Sequence, residues 1–300
     1  MKISMENIGK NHKKILHQKF SNYGANAKVW MRKCELLLPE IERNRVWEDE
    51  GFGDIYEYAA KLAGMSREKV RDSLRILRKI EDKPWLMKVA REKGLRVIRP
   101  VCTIAKKEDD KFWAEKADSM SVSTLQVFVK EVCNEESGHV PTLIPEKEHV
   151  EMELEAEIAE KLKKLKGQKD WNELMKQFIE MREKQLEQEK PETAVTDSRH
   201  MPTKINNYAK AKTNGTCCFP GCFKKADVLH HTDRFALSKE HDPSKIRPLC
   251  KAHHDLAHRG LIENEDLPSR YWKIRKTADK TDIKHMIDRQ VVQHQFVMQI

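Results

Sequence analysis

The chain is poor in residues that break regular structure. It holds eleven glycines and eleven prolines among 300 residues, roughly 7% against a usual ~12%. Few breakers leave room for long helices. No stretch approaches the ~18 consecutive apolar residues that a membrane helix needs, so no membrane partner is expected. The opening residues, Met1 to Asn7, carry no apolar h-region, and no secretory signal is expected. Seven cysteines are too few for a disulfide scaffold. There is no Gly-rich phosphate loop and no fixed-period repeat. What abounds is charge. Charged residues make up 35% of the chain and its net charge is +9, against ~25% charged in an ordinary domain. That balance suits a nucleic-acid partner without requiring one. The composition points to a mostly helical chain in a reducing, cytoplasmic setting.

Residues 1–136 read as a helical region. Its first twenty residues are Lys- and His-rich, an arm or a short helix. Residues 27–45 fit an amphipathic helix broken near Pro39. Ile55, Tyr58, Ala59 and Leu62 recur at helical spacing, and Gly64 ends that helix. Ser66 can cap the next, which carries Val70, Leu74 and Leu77 on one face. Two helices joined by Gly64-Met65-Ser66 resemble a helix-turn-helix. If the apolar residues face inward, Arg67, Arg71, Arg75 and Arg78 form an outward stripe placed to meet DNA. Glu68, Asp72 and Glu81 lie among them, so ion pairs on a solvated face explain the stripe as well. Trp85, Leu86 and Val89 mark a further helical face, and Phe112, Trp113, Ala117 and Met120 another. Ser123 with Gln126 reads as a capping box for a helix through Val132.

Residues 137–146 read as a linker. Residues 147–190 read as a polar helical hairpin interrupted at Gly167, with Asp170 capping its second helix. A coiled-coil homodimer fits its apolar stripe less well, because each run is short. Residues 191–202 read as a second linker.

Residues 217–258 carry the chemistry. Cys217, Cys218 and Cys222 precede His230-His231, and Cys250-x-x-His253-His254-x-x-x-His258 follows. Zinc favours four tetrahedral Cys and His ligands, commonly offered as two close pairs. Cys217 or Cys218 with Cys222 gives one pair across a Pro-Gly turn, and Cys250 with His253 the other. His254 and His258 stand one turn apart if this segment is helical, which suits a second metal. Adjacent His230 and His231 on a strand point to opposite faces, so one can bind metal while its neighbour acts otherwise. Arg234 and Arg247 flank the cluster and can hold phosphate oxygens.

At these residues the chain resembles the HNH endonuclease family, in its zinc-stabilised bacterial form. The resemblance implies a mainly α N-terminal region followed by an α+β ββα-metal finger over 203–265, with a helical tail over 266–300. It implies that Cys217, rather than Cys218, joins Cys222, Cys250 and His253 around a structural zinc. It implies that His231 is the general base and that His230, His254 and His258 surround a catalytic divalent ion, Mg²⁺, Mn²⁺, Ni²⁺ or Zn²⁺. The implied activity is metal-dependent hydrolysis of DNA phosphodiesters; an RNA target fits the same pattern. The family's central Asn is missing, since 242–247 reads Asp-Pro-Ser-Lys-Ile-Arg. That departure is the sequence support for a competing reading, a non-catalytic zinc-stabilised DNA-binding or regulatory protein. The helical stretches before the finger, including Arg199-His200-Met201-Pro202, also look similar to the family, though loosely.

Overall fold

A computed structural model describes residues 2–136 and 151–297. They form a mainly helical N-terminal region and a C-terminal region of mixed α/β structure, and the chain clusters into two compact units, 1–126 and 127–300.

The first unit opens with α1 (Lys2–Asn44), α2 (Val46–Asp49), α3 (Ile55–Ala63) and α4 (Arg67–Ile80). The break expected near Pro39 does not occur. α1 runs through it, although an interior proline loses one hydrogen bond and costs about 3 kcal/mol. The neighbouring Leu38 is buried with Ile55, Ala59, Met65, Val70 and Leu74, so core packing holds the helix through its weak point. The turn between α3 and α4 follows the sequence expectation. Gly64 takes the left-handed conformation at φ 62°, and the Ser66 side chain accepts the Lys69 N–H. Leu62, expected inward, is exposed; Met65, just beyond the helix end, is buried instead.

There follow α5 (Pro84–Lys93), α6 (Leu95–Ile98), α7 (Asp110–Ser119) and α8 (Val122–Glu136). Lys83 offers α5 no side-chain cap. The buried Asp110 carboxylate from α7 accepts the Trp85 and Leu86 N–H groups instead, at 2.8 and 2.9 Å. Trp85 itself is exposed, while Leu86 and Val89 are buried. The cap of α8 is Ser121, not Ser123: its hydroxyl accepts the Thr124 N–H at 3.2 Å.

In the second unit, α9 (Ala156–Lys166) and α10 (Trp171–Gln188) form the expected hairpin about Gly167. Asp170 precedes α10 but its side chain caps no backbone N–H. Of the apolar stripe, Leu174 is buried, whereas Ile158, Leu165, Phe178 and Met181 stay exposed. The linker expected at 137–146 lies outside the described residues. That expected at 191–202 carries a short strand, β1 (Ala194–Val195).

After α11 (Thr203–Ala211) come β2 (Val228–His231), α12 (Phe235–Ser238), β3 (Glu240–His241) and β4 (Ile246–Leu249). Next are α13 (Lys251–His258), β5 (Ile262–Glu263), β6 (Lys273–Ile274) and α14 (Ile283–Val297). β2 and β4 pair antiparallel, with His230 opposite Arg247 and His231 opposite Ile246. β1 pairs with β3 and β5 with β6, also antiparallel. Ile205 and Ala209 of α11 pack on Ile246 of β4. The segment expected as a helical tail thus carries a 3-10 turn at Ser269–Tyr271 and a strand that pairs back onto β5 before it becomes α-helical.

Candidate metal centre

Two clusters of metal-ligating side chains stand in the second unit. In the first, ligand atoms of Cys217, Cys222, Cys250 and His253 lie within 4.8 Å of one another. Local structure explains the grouping. Cys217 donates its N–H to the Lys224 carbonyl at 2.8 Å, and Cys222 donates to Phe219 at 3.1 Å. Gly221 at φ 68° permits the tight turn that returns Cys222 toward Cys217. Cys250 precedes the first residue of α13, which places His253 one turn along. The sulfurs of Cys217 and Cys250 each lie 3.4 Å from His253 Nδ1. Zinc bonds of ~2.3 Å to sulfur and ~2.0–2.1 Å to nitrogen, at tetrahedral angles, put such atoms about 3.5 Å apart. Three thiols and an imidazole are a donor set that fits zinc. The Cys217 thiol hydrogen-bonded to it pulls Cys250 far below the ordinary thiol range, readying a thiolate ligand. Phe219 stacks on the His253 ring at 4.0 Å. Cys218 stands outside the cluster, and burial pushes its thiol up to about 11.

The second cluster is His230, His254 and His258, whose ligand atoms also lie within 4.8 Å of one another. His230 comes from β2; His254 and His258 lie one turn apart on α13. The Nε2 atoms of His254 and His258 are 3.1 Å apart, a separation that two ligands of one metal at ~2.0–2.1 Å adopt when their bonds meet at about 95–102°. Each flank is backed by a carboxylate. His230 donates its Nε2–H to Glu265 at 2.6 Å, and His258 donates its Nδ1–H to Asp288 at 2.8 Å. Those bonds leave His230 Nδ1 and His258 Nε2 with their lone pairs, as metal ligation requires.

Burial sets the protonation states. It pushes His230 down to about 4, with the Arg234 charge adding to it. It pushes His254 down to about 3, with His258 adding, and His231 down to about 4, with His241 adding. These three imidazoles are therefore neutral near pH 7. Burial opposes ionisation of Glu265, but hydrogen bonds from His230 and Arg234 overcome it and hold the carboxyl at about 2.

Arg234, expected to hold phosphate oxygens, lines the cleft beside the histidines but is engaged by two carboxylates. It is 4% exposed. Its guanidinium forms an ion pair with Glu265 and another with Asp288 at 2.8 Å, tying together the two carboxylates behind the histidines. Arg247 is half-buried and donates to the Ser244 and Ile246 carbonyls at 2.7 and 3.2 Å. The four arginines of α4 are exposed, yet Arg75 pairs with Asp72 at 2.8 Å and Arg78 with Glu42 at 2.6 Å. Arg67 lies over the Tyr56 ring, and Arg71 is exposed.

The second cluster opens on a cleft of about 450 Å³ whose walls include His231, His254, His258, Arg199 and Lys210. Sequence reasoning missed Glu265, Asp288, His241 and Lys210. Glu265 and Asp288 reach the histidines across 35 and 30 residues, and nothing local in the sequence marks them. His241 did carry a signal, because it stands immediately before the stretch that lacks the Asn.

No family model, curated protein or solved structure matches the chain. Its functional reading rests on the site itself.

Proposed function

We propose that this protein is a metal-dependent DNA endonuclease of the HNH type, with the second unit as its zinc-stabilised nuclease finger. The observation that carries the reading is the convergence of His230, His254 and His258 on a cleft wall, beside a separate Cys₃His cluster. The order β2, loop, β4, α13 supports a ββα-metal finger. The net charge of +9 suits a polyanionic substrate.

His230, His254 and His258 would hold the divalent ion. When bound, that ion supplies charge stabilisation at the scissile phosphate and its leaving oxygen. His231, next to His230 on β2 and lining the same cleft, takes the proton from the attacking water. Burial keeps its imidazole unprotonated at neutral pH. Arg199 and Lys210, on the cleft wall, meet phosphate oxygens. Cys217, Cys222, Cys250 and His253 would hold the zinc that fixes β4 and α13 to the preceding turn.

The test is incubation of EDTA-treated full-length protein with supercoiled plasmid and Mg²⁺, Mn²⁺, Ni²⁺ or Zn²⁺. Cleavage is expected with at least one ion and none without added metal, and His254→Ala should lose it. Duplex binding with no cleavage in any of the four ions would contradict the reading and favour the non-catalytic DNA-binding alternative.

A further inference from the structure

The loop between β2 and β4 contains no Asn at 242–247, yet His231 is not left without support. We infer that His241 is the positioning residue that holds the His231 imidazole in one tautomer, with the lone pair at Nδ1. The catalytic consequence rests on the nuclease reading; the tautomer itself does not.

His241 ends β3 and is 0% exposed. Its Nε2 lies 3.1 Å from the Ser198 carbonyl oxygen. A carbonyl only accepts, so Nε2 carries the proton. In a neutral imidazole the other nitrogen is then an acceptor. That nitrogen, Nδ1, lies 2.9 Å from His231 Nε2. His231 must therefore donate from Nε2, which leaves the lone pair on its Nδ1. Among the described residues nothing is hydrogen-bonded to that atom. The relay from Ser198 through His241 to His231 thus fixes which nitrogen can accept a proton.

The relay is itself held on several sides. Phe235 stacks on the His241 ring, with centroids 4.8 Å apart and planes 20° apart. The same Phe235 ring lies 5.8 Å from that of His231. β1 pairs Ala194 with His241. Thr196 donates its N–H to the Lys239 carbonyl at 3.0 Å, and Ser198 donates to the Thr196 hydroxyl at 3.1 Å, so the segment carrying the Ser198 carbonyl is anchored beside β3. A ring clamped between an aromatic face and a strand pair has little freedom to turn. It does by a side-chain bond what a loop-fastening Asn would do from the same part of the loop.

The experiment compares full-length wild type, His241→Asn and His241→Phe. Asn sets an amide oxygen near the place of His241 Nδ1 and keeps the acceptor; Phe keeps the ring and removes it. Nitrogen-15 correlation spectra of the histidine side chains should show His231 as the Nε2–H tautomer in wild type and His241→Asn. In His241→Phe the two tautomers should mix. Cleavage by His241→Phe should fall about 10–100-fold in kcat, part of the ~10²–10⁴ that a general base supplies. KM for DNA and zinc content should stay unchanged, and His241→Asn should recover most of the rate. An Nδ1–H tautomer of His231 in wild type would overturn the proposal, even if His241→Phe fails to fold. So would an unchanged His231 spectrum and rate in a folded His241→Phe. If wild type cleaves nothing, the nuclease reading falls, and the spectra still decide the tautomer.

Discussion

Removing a carboxylate behind a metal-facing histidine should weaken metal binding while leaving every ligand in place. Glu265 and Asp288 are such carboxylates, both under 9% exposed and both bonded to a ring nitrogen that turns the opposite one toward the cluster. Partners of this kind typically contribute 10–100-fold in metal affinity or activity. Glu265→Gln and Asp288→Asn are each expected to weaken Mn²⁺ binding at the His230 cluster by about that factor, read by calorimetric titration. Zinc content should not change. Mn²⁺ affinity equal to wild type in both variants would show that the carboxylates serve only to neutralise buried Arg234. Arg234 itself belongs to this network: breaking a buried pair by removing one partner leaves an uncompensated charge. A charged residue's chemistry is set by what the fold places opposite it. Sequence proximity to the His pair could suggest a phosphate ligand, but not the two carboxylates that arrive from positions 31 and 54 residues later.

At the scale of elements, what depends on local spacing was legible. The His254–His258 turn of α13, the Gly64–Ser66 connection and the ligand pairs of the zinc-type cluster all follow from residues a few positions apart. Spacing alone left Cys217 and Cys218 open and only the resemblance chose between them; Cys217 lies in the four-residue cluster and Cys218 outside it. Features set by distant packing were not legible. The survival of α1 through Pro39 depends on a core assembled from α3 and α4. The strand character of 194–195 depends on pairing with β3, over forty residues on. β6 likewise exists only against β5. The zinc-type cluster yields a direct prediction. Freshly purified protein should hold about one tightly bound zinc, and Cys222→Ser or Cys250→Ser should lose it and unfold the finger. Cys218→Ser should keep both metal and fold. Elemental analysis with circular dichroism reads the outcome; zinc released by Cys218→Ser but not by Cys217→Ser would contradict the ligand set.

At the scale of the whole molecule, no helix among the described residues is long and apolar enough to cross a membrane. The chemistry gathers in one of the two units, where β2, α13 and α14 together supply His230, His231, His254, His258 and Asp288. The helical first unit offers its own cationic surface on α4, but two of its four arginines are already engaged in ion pairs. The proposed hydrolysis therefore turns on a single proton acceptor, His231. The measurement is the single-turnover rate of duplex DNA cleavage by His231→Ala against wild type, in the ion that supports the fastest wild-type reaction. If His231 is the general base, the rate falls by ~10²–10⁴-fold, with zinc content, fold and DNA affinity unchanged. A wild-type rate in the His231→Ala protein would contradict it.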